Sequence, residues 1–134
     1  MVTTGDASFW PEGVHVLQDA EVYQRGLRYC DIVAASDAVL TKPGYGIISE
    51  CVANGAPMLY TSRGHFAEYE ILVREMPRYL RCRFISNEEL IAGQWLNHLE
   101  ALAAMPPPPE RARTDGAEVI AAMLESRLLP ATRP

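Results

Sequence analysis

The sequence lacks the long apolar runs that mark a membrane protein or a secretory leader. No such run in its 134 residues approaches the roughly 18 needed to cross a bilayer. The first ten residues, MVTTGDASFW, have no basic start followed by an apolar core. We therefore expect a cytoplasmic protein with no transmembrane segment.

Cysteine and lysine are both scarce. Cys30, Cys51 and Cys82 are odd in number and lack C-x-x-C spacing, so they predict reduced, partly buried thiols rather than a disulfide framework or a zinc site. No metal is expected. Lys42 is the only lysine, and the eleven arginines are spread along a chain of formal net charge −5. Without a basic stripe, nucleic acid is not expected as a partner.

Short apolar runs alternate with stretches of helical periodicity, which predicts an α/β fold with a Rossmann-like parallel sheet flanked by helices. The length suits one domain. Strands are predicted at residues 2–4, 14–17, 38–41, 58–61 and 83–85.

Helices are predicted over residues 28–36, 46–53 and 67–75. The second should end at Asn54-Gly55, which favours a left-handed cap. The third should stop near Met76, because Pro77 follows. Residues 86–89 have the spacing of a capping box, so a further helix begins there and continues, bent at Gly93, through residue 102.

Four consecutive prolines divide the chain near its end. Residues 106–109 predict a stiff polyproline spacer of roughly 12 Å. Apolar residues beyond it recur at helical spacing. We therefore predict a Rossmann-like donor-binding domain over 1–105, a Pro-rich linker over 106–113, and a C-terminal helix and tail over 114–134.

The strongest candidate site lies in TKPGYGIISECVANGAP, residues 41–57. A strand, a loop beginning at Lys42 and a helix follow one another, and unsatisfied N–H groups at a helix start attract anions. Gly44 and Gly46 allow a phosphate to approach the backbone. Glu50 lies one turn into the helix, where its carboxylate could reach a diol such as a ribose.

A second loop, residues 62–68, should lie on the same sheet edge, where ligands bind in open parallel sheets. It contributes Arg63, His65 and Glu68 toward whatever is attached to the phosphate. Nucleophilic catalysis has little support, because Ser49 is not in a G-x-S-x-G elbow and Cys51 has no neighbouring His.

Structural alternatives stand beside each functional interpretation. The glycine loop could be only a turn, Glu50 a favourable acid near a helix start, and Lys42 a solvated side chain. His65 suits a surface or capping role. Tyr45 could stack on a ligand ring or cap the strand edge.

The stretch SDAVLTKPGYGIISECVANGAPMLYTSRGHFAEYEIL resembles the donor-binding segment of GT-B glycosyltransferases, especially those like the lipid II GlcNAc transferase. It is more similar still to glycosyltransferase-like regions beside sugar kinases of the arabinokinase type, which carry similar KPGYG and F-A-E-Y runs. The resemblance covers residues 14–93.

The resemblance implies a nucleoside diphosphate sugar, UDP-linked, as donor substrate and no separate cofactor. It implies that Glu50 binds the ribose hydroxyls, that residues 44–49 hold the diphosphate, and that His65, Glu68 and Tyr69 face the sugar. No catalytic residue is assigned. The candidate donor-binding residues are Lys42, Gly44, Tyr45, Gly46, Ser49, Glu50, Arg63, His65, Glu68 and Tyr69.

Two parts of the family pattern have no counterpart in the sequence: the acceptor domain with its catalytic base, and the first strand of this domain, expected ahead of Met1. That strand sits mid-sheet in the order 3-2-1-4-5-6, so strands 2–4 and 38–41 should lack a shared neighbour. They either pair directly or are joined by a second copy or a separate subunit.

We accordingly expect a homodimer and a glycosyltransferase (hexosyltransferase) fragment that needs a partner for glycosyl transfer. The alternative is a non-catalytic nucleotide-binding or sugar-nucleotide-binding module, or a self-associating interaction module.

Overall fold

The computed structural model describes the backbone of residues 2–4 and all of residues 14–128. No helix in these ranges is long and apolar enough to span a bilayer. The strands are β1 (Val2–Thr4), β2 (His15–Leu17), β3 (Val39–Thr41), β4 (Met58–Tyr60) and β5 (Cys82–Phe84). The helices are α1 (Asp19–Gln24), α2 (Tyr29–Ala34), α3 (Tyr45–Asn54), α4 (Tyr69–Tyr79), α5 (Asn87–Ile91), α6 (Leu96–Ala103) and α7 (Gly116–Leu128).

Three parallel strands form the central sheet in the order β3-β4-β5. Val39 is opposite Met58, and Met58 is opposite Cys82. All three residues of β4 are buried, as expected of a middle strand covered on both faces. The predicted α/β, Rossmann-like fold of a parallel sheet flanked by helices is therefore confirmed.

The two faces of β4 belong to different apolar clusters, because successive side chains of a strand point to opposite sides. Met58 and Tyr60 pack in one cluster with Cys51 of α3 and Met76 of α4. Leu59 packs in the other. The two further fully buried members of that second cluster are Ile85 and Leu102. Helices α3 and α4 thus cover one face of the sheet, and α6 covers the other.

Strands β1 and β2 form a separate parallel pair, with Val2 opposite His15. Among the described residues β1 and β3 do not pair with each other, so the direct pairing of these strands is not realised. It stays a prediction that a second copy or another subunit supplies a strand between β1 and β3.

The prediction that α4 stops near Met76 is wrong. The helix runs through Pro77 to Tyr79, although proline lacks the N–H needed for the helical hydrogen bond. Met76 and Leu80 are both 3% exposed and anchor the last turn in the core. The backbone N–H of Leu80 also donates to the carbonyl of Met76 at 2.9 Å. Burial therefore outweighs the local cost of the proline.

The other helix ends follow their local signals. Gly55 caps α3 at a φ of +66°, as predicted. The capping box is confirmed, with Ser86 accepting from the backbone N–H of Glu89 and Glu89 accepting from that of Ser86. The helix does not continue through Gly93, whose φ is +72°; α5 ends and α6 begins at Leu96. Helix α1 was not predicted.

The segment after the prolines is attached to α4. The backbone N–H of Glu110 donates to the carbonyl of Arg78 at 2.9 Å. Arg78 donates to both carboxylate oxygens of Glu110, at 2.8 and 3.2 Å. Helix α7 has no buried residue. The proposed division into domain, linker and terminal helix stays a prediction.

Candidate functional site

The loops singled out in the sequence lie at one edge of the central sheet. Since the three strands are parallel, their carboxyl ends at Thr41, Tyr60 and Phe84 share that edge. The first loop leads from β3 into α3, and the second leads from β4 into α4. In open parallel sheets this edge is where ligands bind.

Helix α3 begins without a capping side chain. Its N-cap is Gly44, no side chain in the described structure caps the first turn, and that turn holds no acidic residue. The first helical hydrogen bond runs from the N–H of Ile48 to the carbonyl of Gly44 at 3.0 Å. The preceding amides therefore form the positive end of a ten-residue helix, which favours an anion.

Arg63 of the second loop reaches back to the first. Its Nη1 donates to the carbonyl of Pro43 at 2.8 Å. Its guanidinium carbon lies 3.9 Å from the ring centroid of Phe66, a cation–π contact. A Cβ placed on Gly44 would lie 2.8 Å from Nη1. A cation therefore lies beside the start of α3, where a phosphate would gain from both.

Glu50 of α3 influences the ionisation of a neighbouring thiol and of a phenol on α2. Burial raises the pKa of the Tyr29 phenol, and the Cys51 thiol and then the Glu50 carboxylate raise it further. Burial followed by the Glu50 carboxylate raises the pKa of the Cys51 thiol to about 11. The Glu50 carboxylate therefore acts electrostatically on groups of both α2 and α3. Glu50 itself is partly exposed, so it remains accessible to a ligand.

Tyr45 and Ser49 are one helical turn apart and share a different face of α3. Both line a groove of about 520 Å³ between α3 and α4, together with Met76, Tyr79 and Arg113. The structure therefore separates these two predicted site residues from Glu50. Tyr45 nevertheless is the first residue of α3, so its backbone amide lies at the positive end of the helix.

His65 and Tyr69 lie together at the second loop. Both line a hollow of about 460 Å³ that also includes Phe66 and Glu70. Glu68 is the N-cap of α4, and its carbonyl accepts from the N–H of Leu72 at 3.0 Å. Lys42 is exposed on the first loop, and no atom of the described residues lies within 4 Å of a Cβ built on Gly46. In the part of the chain that the structure describes, no cluster of side chains suits a metal ion.

Sequence reasoning missed two supporting residues. Phe66 supplies the ring under Arg63, and its spacing of three residues from Arg63 was the available signal. Asn87, the first residue of α5, accepts a hydrogen bond from the hydroxyl of Thr61, which is 2% exposed at the end of β4. This bond satisfies a buried hydroxyl and ties α5 to the edge of the sheet.

His98 has a structural partner. Its Nε2 lies 3.2 Å from Oε1 of Glu89, so it joins α6 to the capping box of α5. Hydrogen bonds to the backbone and hydroxyl of Ser86, and then the contact with His98, lower the pKa of the Glu89 carboxyl. His98 therefore braces two helices on the sheet.

Comparison with known proteins gives one informative similarity. No family model matches the sequence, and no solved structure matches it. The chain is 34% identical over 96 residues to L-arabinokinase of Arabidopsis thaliana, across 71% of this chain but only 9% of that protein. The arabinokinase part of the resemblance is thus confirmed, and the GT-B relationship stays a prediction.

Proposed function

We propose that this chain contains a glycosyltransferase-like domain that binds the nucleotide-sugar donor, with the acceptor site supplied by another domain or subunit. The observation that carries the proposal is the uncapped start of α3 with the Arg63 guanidinium beside it, at the ligand-binding edge of a parallel sheet. A diphosphate is the ligand group that suits a row of backbone amides and an arginine together.

The remaining residues suit the rest of a nucleotide-sugar. Glu50 lies in the second turn of α3 and is partly exposed, so its carboxylate can accept hydrogen bonds from ribose hydroxyls. The hollow at His65 and Tyr69 offers ring surfaces and polar atoms for the sugar. Lys42 is an exposed cation on the same edge and adds attraction for the phosphates.

The chemistry assigned to this domain is electrostatic. Backbone N–H groups and Arg63 would stabilise the departing nucleoside diphosphate as negative charge develops on it. A base supplied by a partner would take the proton from the acceptor hydroxyl. The domain therefore binds the donor and activates its leaving group, and glycosyl transfer needs the partner.

A thermal-shift titration with UDP, UDP-sugars and GDP-sugars tests donor binding. A ligand at about 100 times its Kd stabilises the folded form by about 2.7 kcal/mol. At about 4 °C per kcal/mol for a domain of this size, the Tm should rise by roughly 10 °C. Glu50→Ala should abolish most of this rise, and Glu100→Ala, an exposed acid within α6, should leave it unchanged. A full shift in Glu50→Ala would reject the ribose role.

A non-catalytic role is the second candidate. The exposed apolar side chains of α7, and the edge of β3 with which no strand of the described residues pairs, favour an interaction module. The relative's name denotes a kinase for L-arabinose, so ATP and L-arabinose belong in the same ligand panel. Because the first proposal also expects no turnover without the partner, the choice of ligand decides. Stabilisation by nucleotides that is no greater with an attached sugar would favour a binding module, and no stabilisation by any ligand would favour the interaction module.

A further inference from the structure

We propose that Arg63 fastens the second loop to the first, and that Gly44 is glycine to make room for its guanidinium. We call this set of contacts the Arg63 bridge: the hydrogen bond from Nη1 to the Pro43 carbonyl, the stacking on Phe66, and the close approach to Gly44. The bridge sets the spacing of the two loops that form the proposed donor site, and this last statement rests on the proposed function.

The backbone of Gly44 does not itself need glycine. Its φ of −164° and ψ of 154° describe extended backbone that any residue adopts. A Cβ at this position would instead lie 2.8 Å from Nη1, so the guanidinium could not stay where it is. We therefore attribute the glycine at position 44 to the position of the Arg63 side chain, nineteen residues further along the chain.

Among the residues that the structure describes, the other hydrogen bonds of the second loop lie within the loop or lead into α4. Within the loop the N–H of Gly64 donates to the Ser62 hydroxyl at 3.2 Å, and the N–H of Phe66 donates to the Gly64 carbonyl at 3.0 Å. These bonds shape the loop without tying it to the start of α3. The Arg63 bridge crosses between the loops, so it decides how the loop is placed there.

Substitution of Gly44 is a specific perturbation because the clashing atom is the far end of a flexible side chain. In Gly44→Ala the guanidinium must shift away from the new Cβ, which we expect to weaken its hydrogen bond to the Pro43 carbonyl. Gly46→Ala is the matched control, since nothing lies within 4 Å of its Cβ position. Arg63→Gln removes the bridge from the other side.

Amide hydrogen exchange of Gly64, Phe66 and Tyr69, followed by NMR, reports loop opening. We expect Gly44→Ala and Arg63→Gln each to raise the exchange rates by roughly fivefold, and Gly46→Ala to leave them unchanged. In the double variant of Gly44 and Arg63 the two effects should not multiply, because both remove the same contact. The proposal would be wrong if the two increases in exchange rate multiplied in the double variant. It would also be wrong if Gly44→Ala and Gly46→Ala exchanged at equal rates.

Calorimetric titration with UDP tests the link to the donor site. Arg63→Lys keeps a cation but cannot reproduce both the planar stacking and the fixed hydrogen bond. We expect Arg63→Lys to bind UDP more weakly than the unaltered protein and to exchange as fast as Arg63→Gln. If Arg63→Lys matched the unaltered protein in both UDP affinity and amide exchange rates, the proposal of the Arg63 bridge would be wrong. If the unaltered protein binds no UDP, the proposed function fails, whereas the exchange experiment still decides the bridge.

Discussion

Chemical modification of the three cysteines offers a direct test of the core and of the orientation of Glu50. Cys51 has no exposed surface, and burial followed by the Glu50 carboxylate raises the pKa of its thiol from an ordinary 9.0 to about 11. Burial raises the pKa of Cys82 to about 11 as well. Cys30 is only partly buried on α2.

The size of the effect follows from the thiolate, which is the form that reacts. A pKa of about 11 leaves roughly one Cys51 thiol in a thousand ionised at pH 8, about a hundredfold fewer than a thiol at its ordinary value. Burial slows reagent access further. We therefore expect iodoacetamide to label Cys30 first, with Cys51 and Cys82 slower by about a hundredfold or more until the protein is unfolded.

Tandem mass spectrometry of a labelling time course resolves the three sites. Glu50→Gln removes a carboxylate that contributes to the pKa of Cys51 but not to that of Cys82, whose shift comes from burial. The variant should therefore speed labelling of Cys51 and leave Cys82 unchanged. Equal labelling of Cys30 and Cys51 in the native protein, or no difference between the two buried thiols in Glu50→Gln, would refute this account of α3.

Three further predictions concern stability and assembly. Leu102→Ala removes a side chain that is 1% exposed between α6 and the sheet, so it should cost about 2–5 kcal/mol and lower the Tm by roughly 10–20 °C in calorimetry. Glu75, Glu89 and Glu110 have carboxyl pKa values lowered from 4.5 by their hydrogen-bonded partners. Their contribution to the free energy of unfolding is complete above pH 4.5. It is lost as the pH falls through their lowered pKa values in the folded protein, so the urea midpoint of unfolding should drop on acidification below about pH 4.5. Light scattering of the purified protein should give the mass of a homodimer, and a monomer at all concentrations would reject self-association.

The fold was largely predictable because its signals are local. Each strand began or ended within one or two residues of its apolar run, and the capping box at Ser86 and the glycine at position 55 marked helix ends through hydrogen bonds between near neighbours. The local signal at Pro77, by contrast, did not mark the end of α4. Its effect on α4 depends on the burial of Met76 and Leu80, which is a property of the folded core rather than of the neighbouring sequence.

Helix α1 and the separation of β1 from β3 were harder to predict from sequence. Helix α1 has six residues, its N-cap is glutamine, and only Val22 is buried, so neither a strong capping residue nor an apolar stripe marks it. Which strands share a sheet depends on pairing across distant segments. The expected loss of a shared neighbour followed from strand order, but the choice between direct pairing and separation required the structure.

The candidate site shows how far a motif alone can be interpreted. The spacing of Tyr45, Ser49 and Glu50 already implies that the first two share a helix face and the third does not, and the structure places them accordingly. By contrast, a glycine between Pro43 and Tyr45 has two physical explanations, the approach of a phosphate or the approach of a side chain from another loop. Only the position of the Arg63 guanidinium distinguishes them at Gly44. Because no described residue occupies the corresponding space at Gly46, the approach of a phosphate remains the explanation to test at the second glycine.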